Sequence, residues 1–175
     1  MPETFAFLEH EGPIAFAHRG GAADGLENSL AAFGRAVELG YRYLETDVHA
    51  TADGVLLAFH DRTLDRVTDR AGRVADLPWS TVRQARIGGR EPIPLLEDLL
   101  GGWPDIRVNV DVKHPGAIEP LVEVVRRTGS LDRICVASFS EQRLAAVRRE
   151  LGPLLCTSLG TRGVALLRAA ATHRG

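Results

Sequence analysis

Short apolar runs alternate along the chain with stretches whose apolar residues recur at helical spacing. Residues 14–17 are an apolar run that meets His18-Arg19-Gly20-Gly21, which predicts a strand and then a loop. Asn28 or Ser29 caps a helix with Leu30, Phe33 and Val37 on one face, and Gly40 ends it. A second strand covers residues 41–48. Asp53-Gly54 signals a turn, and residues 55–59 form a third strand that stops at His60-Asp61. A long connection follows, with helical pieces over 79–86 and 95–100. Residues 107–112 are a fourth strand. Ile118, Leu121, Val122 and Val125 mark a helix that stops near Gly129. Residues 133–137 are a fifth strand, and Ser140 caps a helix carrying Leu144, Val147 and Leu151. A sixth strand at 154–158 and a sixth helix at 164–171 complete the pattern.

Strands alternating with helices predict a parallel sheet with right-handed crossovers, either an open doubly wound sheet or a barrel. The polar positions choose between them. In the fourth strand Val108, Val110 and Val112 share one face, and Asn109, Asp111 and Lys113 share the other. In the second strand Leu44, Thr46 and Val48 oppose Tyr43, Glu45 and Asp47. A doubly wound sheet is covered by helices on both sides and reads as apolar on both. A barrel can hold polar catalytic groups at the upper end of its interior. The expectation is therefore a (β/α)8 barrel of which about six strands are present.

At 175 residues, with 45% hydrophobic and 25% charged residues, the chain fits one domain of ordinary composition. A net charge of −2 predicts no electrostatic grip on nucleic acid or an anionic membrane. Lys113 is the single lysine among 21 basic residues, a mild sign that a flexible point charge is needed there. Cys135 and Cys156 sit in apolar strand-like runs and read as buried free thiols, with no zinc-type spacing. Residues 1–5 lack the basic and apolar regions of a secretory leader, and no apolar run approaches a membrane span, so a cytoplasmic location is expected.

Glu45 and Asp47 are the sharpest chemical signal. At spacing i, i+2 on a strand they point the same way, with Cα atoms about 6.5–7 Å apart. Two carboxylates converging inside a barrel repel each other and lose solvation unless a cation neutralises them. Asp111 faces the same interior from another strand. Three carboxylates with no cysteine ligand suit one hard divalent ion, Mg²⁺ or Ca²⁺. His18 and His60 each follow an apolar strand, which puts both on the rim, where two imidazoles can divide acid and base duties. Arg19 and Lys113 supply positive charge of the kind a phosphate ester needs. Glu27-Asn28 reads, by itself, as a helix N-terminus with its cap and an acid near the positive dipole end. His10, His114 and His173 attract no functional reading, and His49 is expected just beyond the end of its strand.

Taken in order, His18-Arg19-Gly20, Glu27-Asn28-Ser29, Glu45-Thr46-Asp47-Val48, Asp53-Gly54 and His60-Asp61 resemble the motifs of the glycerophosphodiester phosphodiesterase family. Ile93-Pro94-Leu95-Leu96-Glu97, Asn109-Val110-Asp111-Val112-Lys113 and Ser138-Phe139 continue the match over nearly the whole chain. The resemblance implies a (β/α)8 barrel and a divalent metal on Glu45, Asp47 and Asp111. It implies catalytic His18 and His60, phosphate contacts from Arg19 and Lys113, and an active-site role for Glu27. The small-molecule substrate would be a glycerophosphodiester, split into glycerol 3-phosphate and an alcohol.

Two features depart from the family pattern. The third metal carboxylate is usually Glu and is Asp111 here, and the last two strands of the family barrel are not found, so a C-terminally shortened member is expected. Two other readings stand beside hydrolysis. One is a phospholipase D-like lyase acting on lysophospholipids, and the other is a non-catalytic barrel fragment. The alcohol head group, the choice of metal, the roles of the two histidines and the oligomeric state are not legible in the residues.

Overall fold

The computed structural model describes residues 5–21 and 25–172; the leader reading of residues 1–4 and the reading of His173 lie outside them. The chain opens with a one-turn 3-10 helix, Ala6–Leu8, and then strand β1, Phe16–His18. Helix α1, Leu30–Glu38, starts at Ser29, whose hydroxyl accepts from the Ala32 amide at 3.1 Å. Such a cap contributes about 1 kcal/mol. Strand β2, Tyr43–Ala50, is followed by β3, Leu56–Ala58. Helix α2, Trp79–Val82, then leads to a small antiparallel pair, β4 (Arg86–Ile87) and β5 (Glu91–Pro92). The remaining elements alternate: α3 Leu96–Gly102, β6 Arg107–Val112, α4 Ile118–Thr128, β7 Ile134–Ala137, α5 Glu141–Leu151, β8 Cys156–Thr157 and α6 Thr161–Thr172.

The main sheet has six strands in the order β1-β2-β6-β7-β8, with β3 attached to β2. The five strands in line are all parallel, which is the sequential order in which a (β/α)8 barrel is wound. The third strand departs from the parallel expectation. β3 runs antiparallel, pairing Val48 with Ala58 and Ala50 with Leu56. A parallel crossover needs a dozen or more residues, and only residues 51–55 separate the two strands. The Asp53-Gly54 signal is thus a hairpin turn, with Gly54 at φ +80°.

Other boundaries shift too. β1 begins at Phe16 rather than residue 14, and the helix expected over 79–86 ends at Val82, because Arg86–Ile87 pairs as a strand. β2 continues through Ala50, so His49 lies inside the strand and is buried.

The alternation in β6 comes out as expected. Val108, Val110 and Val112 are buried, while Arg107, Asn109 and Asp111 are only half-buried. The valine face packs against Leu96, Leu99 and Leu100 of α3, Leu121 of α4, and Leu144 and Val147 of α5. Each fully buried side chain of this size is worth roughly 1.5–3 kcal/mol. The opposite face is apolar only at its lower end. There Phe7 stands edge-on to Tyr43 (ring centroids 5.4 Å apart, planes at 85°), Arg107 donates to the Tyr43 hydroxyl and to the Glu9 carbonyl, and Cys135 aligns with Cys156. Both thiols are buried and free. The N-terminal turn therefore plugs the lower end, and the carboxylates collect at the upper end.

Among the described residues, no helix is long and apolar enough to cross a membrane.

Candidate active site

The site begins in the turn that follows β1. Gly20 donates to the Ala17 carbonyl, Gly21 to that of His18, and Asn28 to that of Arg19. Arg19 and Asn28 both take left-handed backbone conformations, at φ 53° and 56°. Each such residue other than glycine costs on the order of 1–3 kcal/mol and persists only where its surroundings over-determine it. Gly20 allows the turn to lie against α1, since a Cβ there would stand 2.8 Å from the Phe33 ring and 2.9 Å from the Ala32 backbone. The strained turn aims the Arg19 amide at Glu45, with a hydrogen bond to Oε2 of 3.1 Å.

Around that turn the candidate residues converge. Arg19 Nη1 donates to Glu27 Oε1 at 2.9 Å. Arg19 Nε lies 3.3 Å from Asp47 Oδ2 but, though buried, makes no well-aligned hydrogen bond. That contact is one of charge. Lys113 Nζ bridges two strands, 2.8 Å from Asp47 Oδ1 and 2.6 Å from Asp111 Oδ2. The β2–β6 register, Asp47 opposite Asp111, sets this up. Burial works against the Lys113 charge, but its bonds to Asp111 and Asp47 outweigh burial and hold the ammonium above its ordinary value. His18 Nε2 stands 3.8 Å from Glu45 Oε2. His60 Nδ1 meets Asp61 Oδ1 at 2.6 Å. His49, His60, Asp61, Arg62, Thr63 and Lys113 line an open cleft of about 470 Å³ beside the acids.

Five carboxylates (Glu27, Glu45, Asp47, Asp61 and Asp111) face three obligate cations (Arg19, Arg66 and Lys113). Of the five, Glu45 is bonded by a backbone amide rather than by one of these three side chains. Burial, and then the neighbouring charge of Asp47, push its carboxyl up to about 7. Glu45 and Asp47 present hard oxygen donors toward the same turn, which fits a divalent cation. As they stand, no three ligating side chains among the described residues gather around one point, because the Lys113 ammonium stands between Asp47 and Asp111.

The raised Glu45 carboxyl has a testable consequence. The unfolded chain releases this proton near 4.5 and the folded chain near 7. Between those values the folded state binds more protons, so this group makes stability fall as pH rises. A divalent cation held by the ionised carboxylate opposes that loss. In EDTA the melting temperature is expected to decline between about pH 4.5 and 7. The decline should flatten with added Mg²⁺ or Ca²⁺ and should be absent in Glu45→Gln. A metal-free profile that is the same for Glu45→Gln and the parent would remove Glu45 as the origin.

Three residues that the sequence reading passed over complete the site. Asn28, considered there only as a cap, is buried. It donates from Nδ2 to Asp47 Oδ2 at 3.4 Å and accepts from the Thr46 hydroxyl at 2.8 Å. Its signal was an asparagine suited to positive φ. Asp61 was visible beside His60 but was given no role. Arg66 gave no signal at all, since it lies 39 residues from Glu27, which it binds.

A parallel (β/α) sheet whose strands end in a cluster of acids, cations and histidines defines a barrel enzyme-type site. The profile of the glycerophosphoryl diester phosphodiesterase family matches residues 18–163, and the chain belongs to that family. It is 46% identical to the probable glycerophosphodiester phosphodiesterase 2 of Mycobacterium tuberculosis, over 90% of this chain and 60% of that protein. It is 33% identical to the glycerophosphodiester phosphodiesterase of Caldanaerobacter subterraneus subsp. tengcongensis, over 78% and 62%. The chain thus spans about three-fifths of the length of these curated relatives. Among solved structures, the glycerophosphoryl diester phosphodiesterase domain of another M. tuberculosis protein superposes with a TM-score of 0.80 at 25% identity, covering 89% of this chain and 63% of that one. A phosphodiesterase of Oleispira antarctica, solved with its product sn-glycerol 3-phosphate, superposes with a TM-score of 0.73 at 26% identity, over 78% and 62%. The fold is therefore the (β/α)8 barrel of this family, present in part. Members of the family generally use a divalent metal.

Proposed function

We propose that this chain carries the reacting site of an enzyme that hydrolyses glycerophosphodiesters to glycerol 3-phosphate and an alcohol. The observation that carries the reading is the placement of two imidazoles, His18 and His60, around a cluster of carboxylates and cations at the upper end of a barrel sheet. The product bound to the Oleispira relative supports the substrate class.

Glu45 and Asp47 would hold one divalent ion, Mg²⁺ or Ca²⁺, and Asp111 would join them as the third carboxylate in place of its bond to Lys113. When bound, the ion would supply positive charge for the phosphoryl oxygens and offset the repulsion between the acids. Arg19 and Lys113 supply fixed positive charge beside it, Arg19 steadied by Glu27. Asp61 accepts a hydrogen bond from His60 Nδ1–H, which leaves Nε2 to take the proton of the water that attacks phosphorus. A protonated His18 then gives its proton to the alcohol oxygen as the P–O bond to it breaks.

The test is ³¹P NMR of glycerophosphocholine with the purified protein and a divalent cation. Direct appearance of glycerol 3-phosphate is expected. A five-membered cyclic phosphate as end product would assign the lyase reading instead, and no reaction at all would favour the non-catalytic one.

A further inference from the structure

We propose that Arg66 is a positioning residue that locks the two sides of the site together, fixing Arg19 through Glu27 and the His60 ring through Asp61. The proposal rests on the hydrolase reading above. Arg66 enters from the long connection after β3, on neither of the strands that bear the acids. Its guanidinium makes four hydrogen bonds to two carboxylates. Nε and Nη2 reach Asp61 Oδ2 and Oδ1 at 2.5 and 3.0 Å. Nη1 and Nη2 reach Glu27 Oε2 and Oε1 at 3.1 and 2.6 Å. A planar fork of five donors can make paired bonds to each of two carboxylates in this way, whereas the three donors of an ammonium radiate from a single atom.

Both carboxylates face inward to a functional group. Glu27 also holds Arg19 Nη1, and Asp61 also holds His60 Nδ1. The β1 turn and the β3 loop are therefore joined, over this part of the site, through one side chain. Hydrogen bonding from Arg66 is the largest influence keeping the Asp61 carboxyl down at about 2, and it also lowers Glu27. A carboxylate that stays ionised accepts from His60 throughout the working pH range, so the imidazole keeps one tautomer. Half of the Arg66 side chain is exposed, so its loss opens no core cavity.

The test uses NMR on the 175-residue chain together with turnover. In Arg66→Met, the Asp61 carboxyl is expected to titrate closer to the ordinary aspartate value than to 2. The ¹⁵N signals of His60 should move from a single Nδ1–H tautomer toward an averaged pair. kcat should fall on the order of 10- to 100-fold with a smaller change in KM. Arg66→Lys should fail to restore the tautomer, because one ammonium cannot reproduce the four bonds through which the guanidinium spans both acids. If Arg66→Met loses its dispersed amide spectrum, Arg66→Gln gives the same readings in a shape closer to the original. An unmoved Asp61 titration and an unmoved His60 tautomer overturn the proposal whatever the turnover does. A parent chain that shows both NMR responses but hydrolyses nothing would overturn the hydrolase reading and leave the clamp standing.

Discussion

His60→Ala and His18→Ala are each expected to lower kcat by about 10²–10⁴-fold, the usual contribution of a general acid or base, while the melting temperature stays within a few degrees of the parent. The asymmetry follows from where the rings lie. The His18 side chain is 68% exposed and that of His60 32% exposed, so neither fills core volume, and surface truncations of this kind typically change stability by less than 0.5 kcal/mol. His60→Ala should be the more structurally disruptive of the two, since it removes one of the two side chains that bond Asp61 among the described residues. Measuring kcat beside a thermal melt for each variant decides the point. Near-normal turnover in either one removes that residue from the chemistry.

Asp47→Ala is expected to cost both folding and activity. The carboxylate is 2% exposed, and it faces Arg19, Lys113 and Asn28. Removing it has two opposed effects. Glu45 loses a repelling neighbour, which favours its ionised form. Arg19 and Lys113 lose a buried counter-charge, and breaking such a pair from one side typically costs about 3–5 kcal/mol. The second effect is the larger, because burial rather than Asp47 is the main cause of the Glu45 shift. The melting temperature should drop by roughly 10 °C or more for a chain of this length. Asp47→Asn keeps the shape and the polar contacts, so it should melt closer to the parent yet lose cation-dependent turnover as fully. Equal melting of Asp47→Ala and the parent would contradict the charge-locked arrangement.

Much of this was readable in the residues, and the exceptions have physical causes. The valines at 108, 110 and 112 announced their face because strand side chains alternate, and helices α3, α4 and α5 cover that face as the alternation required. Ser29 announced α1 through its hydroxyl. The direction of β3 was misread because an apolar run states that a strand exists but not which way it pairs. The brevity of the 51–55 connection held that information. His18, Arg19, Glu45, Asp47, His60, Asp111 and Lys113 carried recognisable chemistry on or beside strands, whereas Glu27 read by itself as an acid at a helix N-terminus and took a site role only from the family resemblance. Arg66 and Asn28 did not, because their roles arise only when distant turns are folded against β2. The pairing of Lys113 with Asp111 two residues earlier is local, yet its simultaneous grip on Asp47 depends on the β2–β6 register. Sequence spacing does not encode that register.

On the proposed reading, the histidine pair and the carboxylate cluster together cleave a glycerophosphodiester with the help of a divalent cation. The measurement that tests it most directly is ³¹P NMR of glycerophosphocholine with protein stripped by EDTA, then restored with Mg²⁺ or Ca²⁺, alongside a His18→Ala/His60→Ala double variant. No conversion is expected after stripping, conversion to glycerol 3-phosphate is expected on restoration with at least one of the two ions, and none above background is expected for the double variant. Conversion that persists in EDTA, or that survives loss of both histidines, would contradict it.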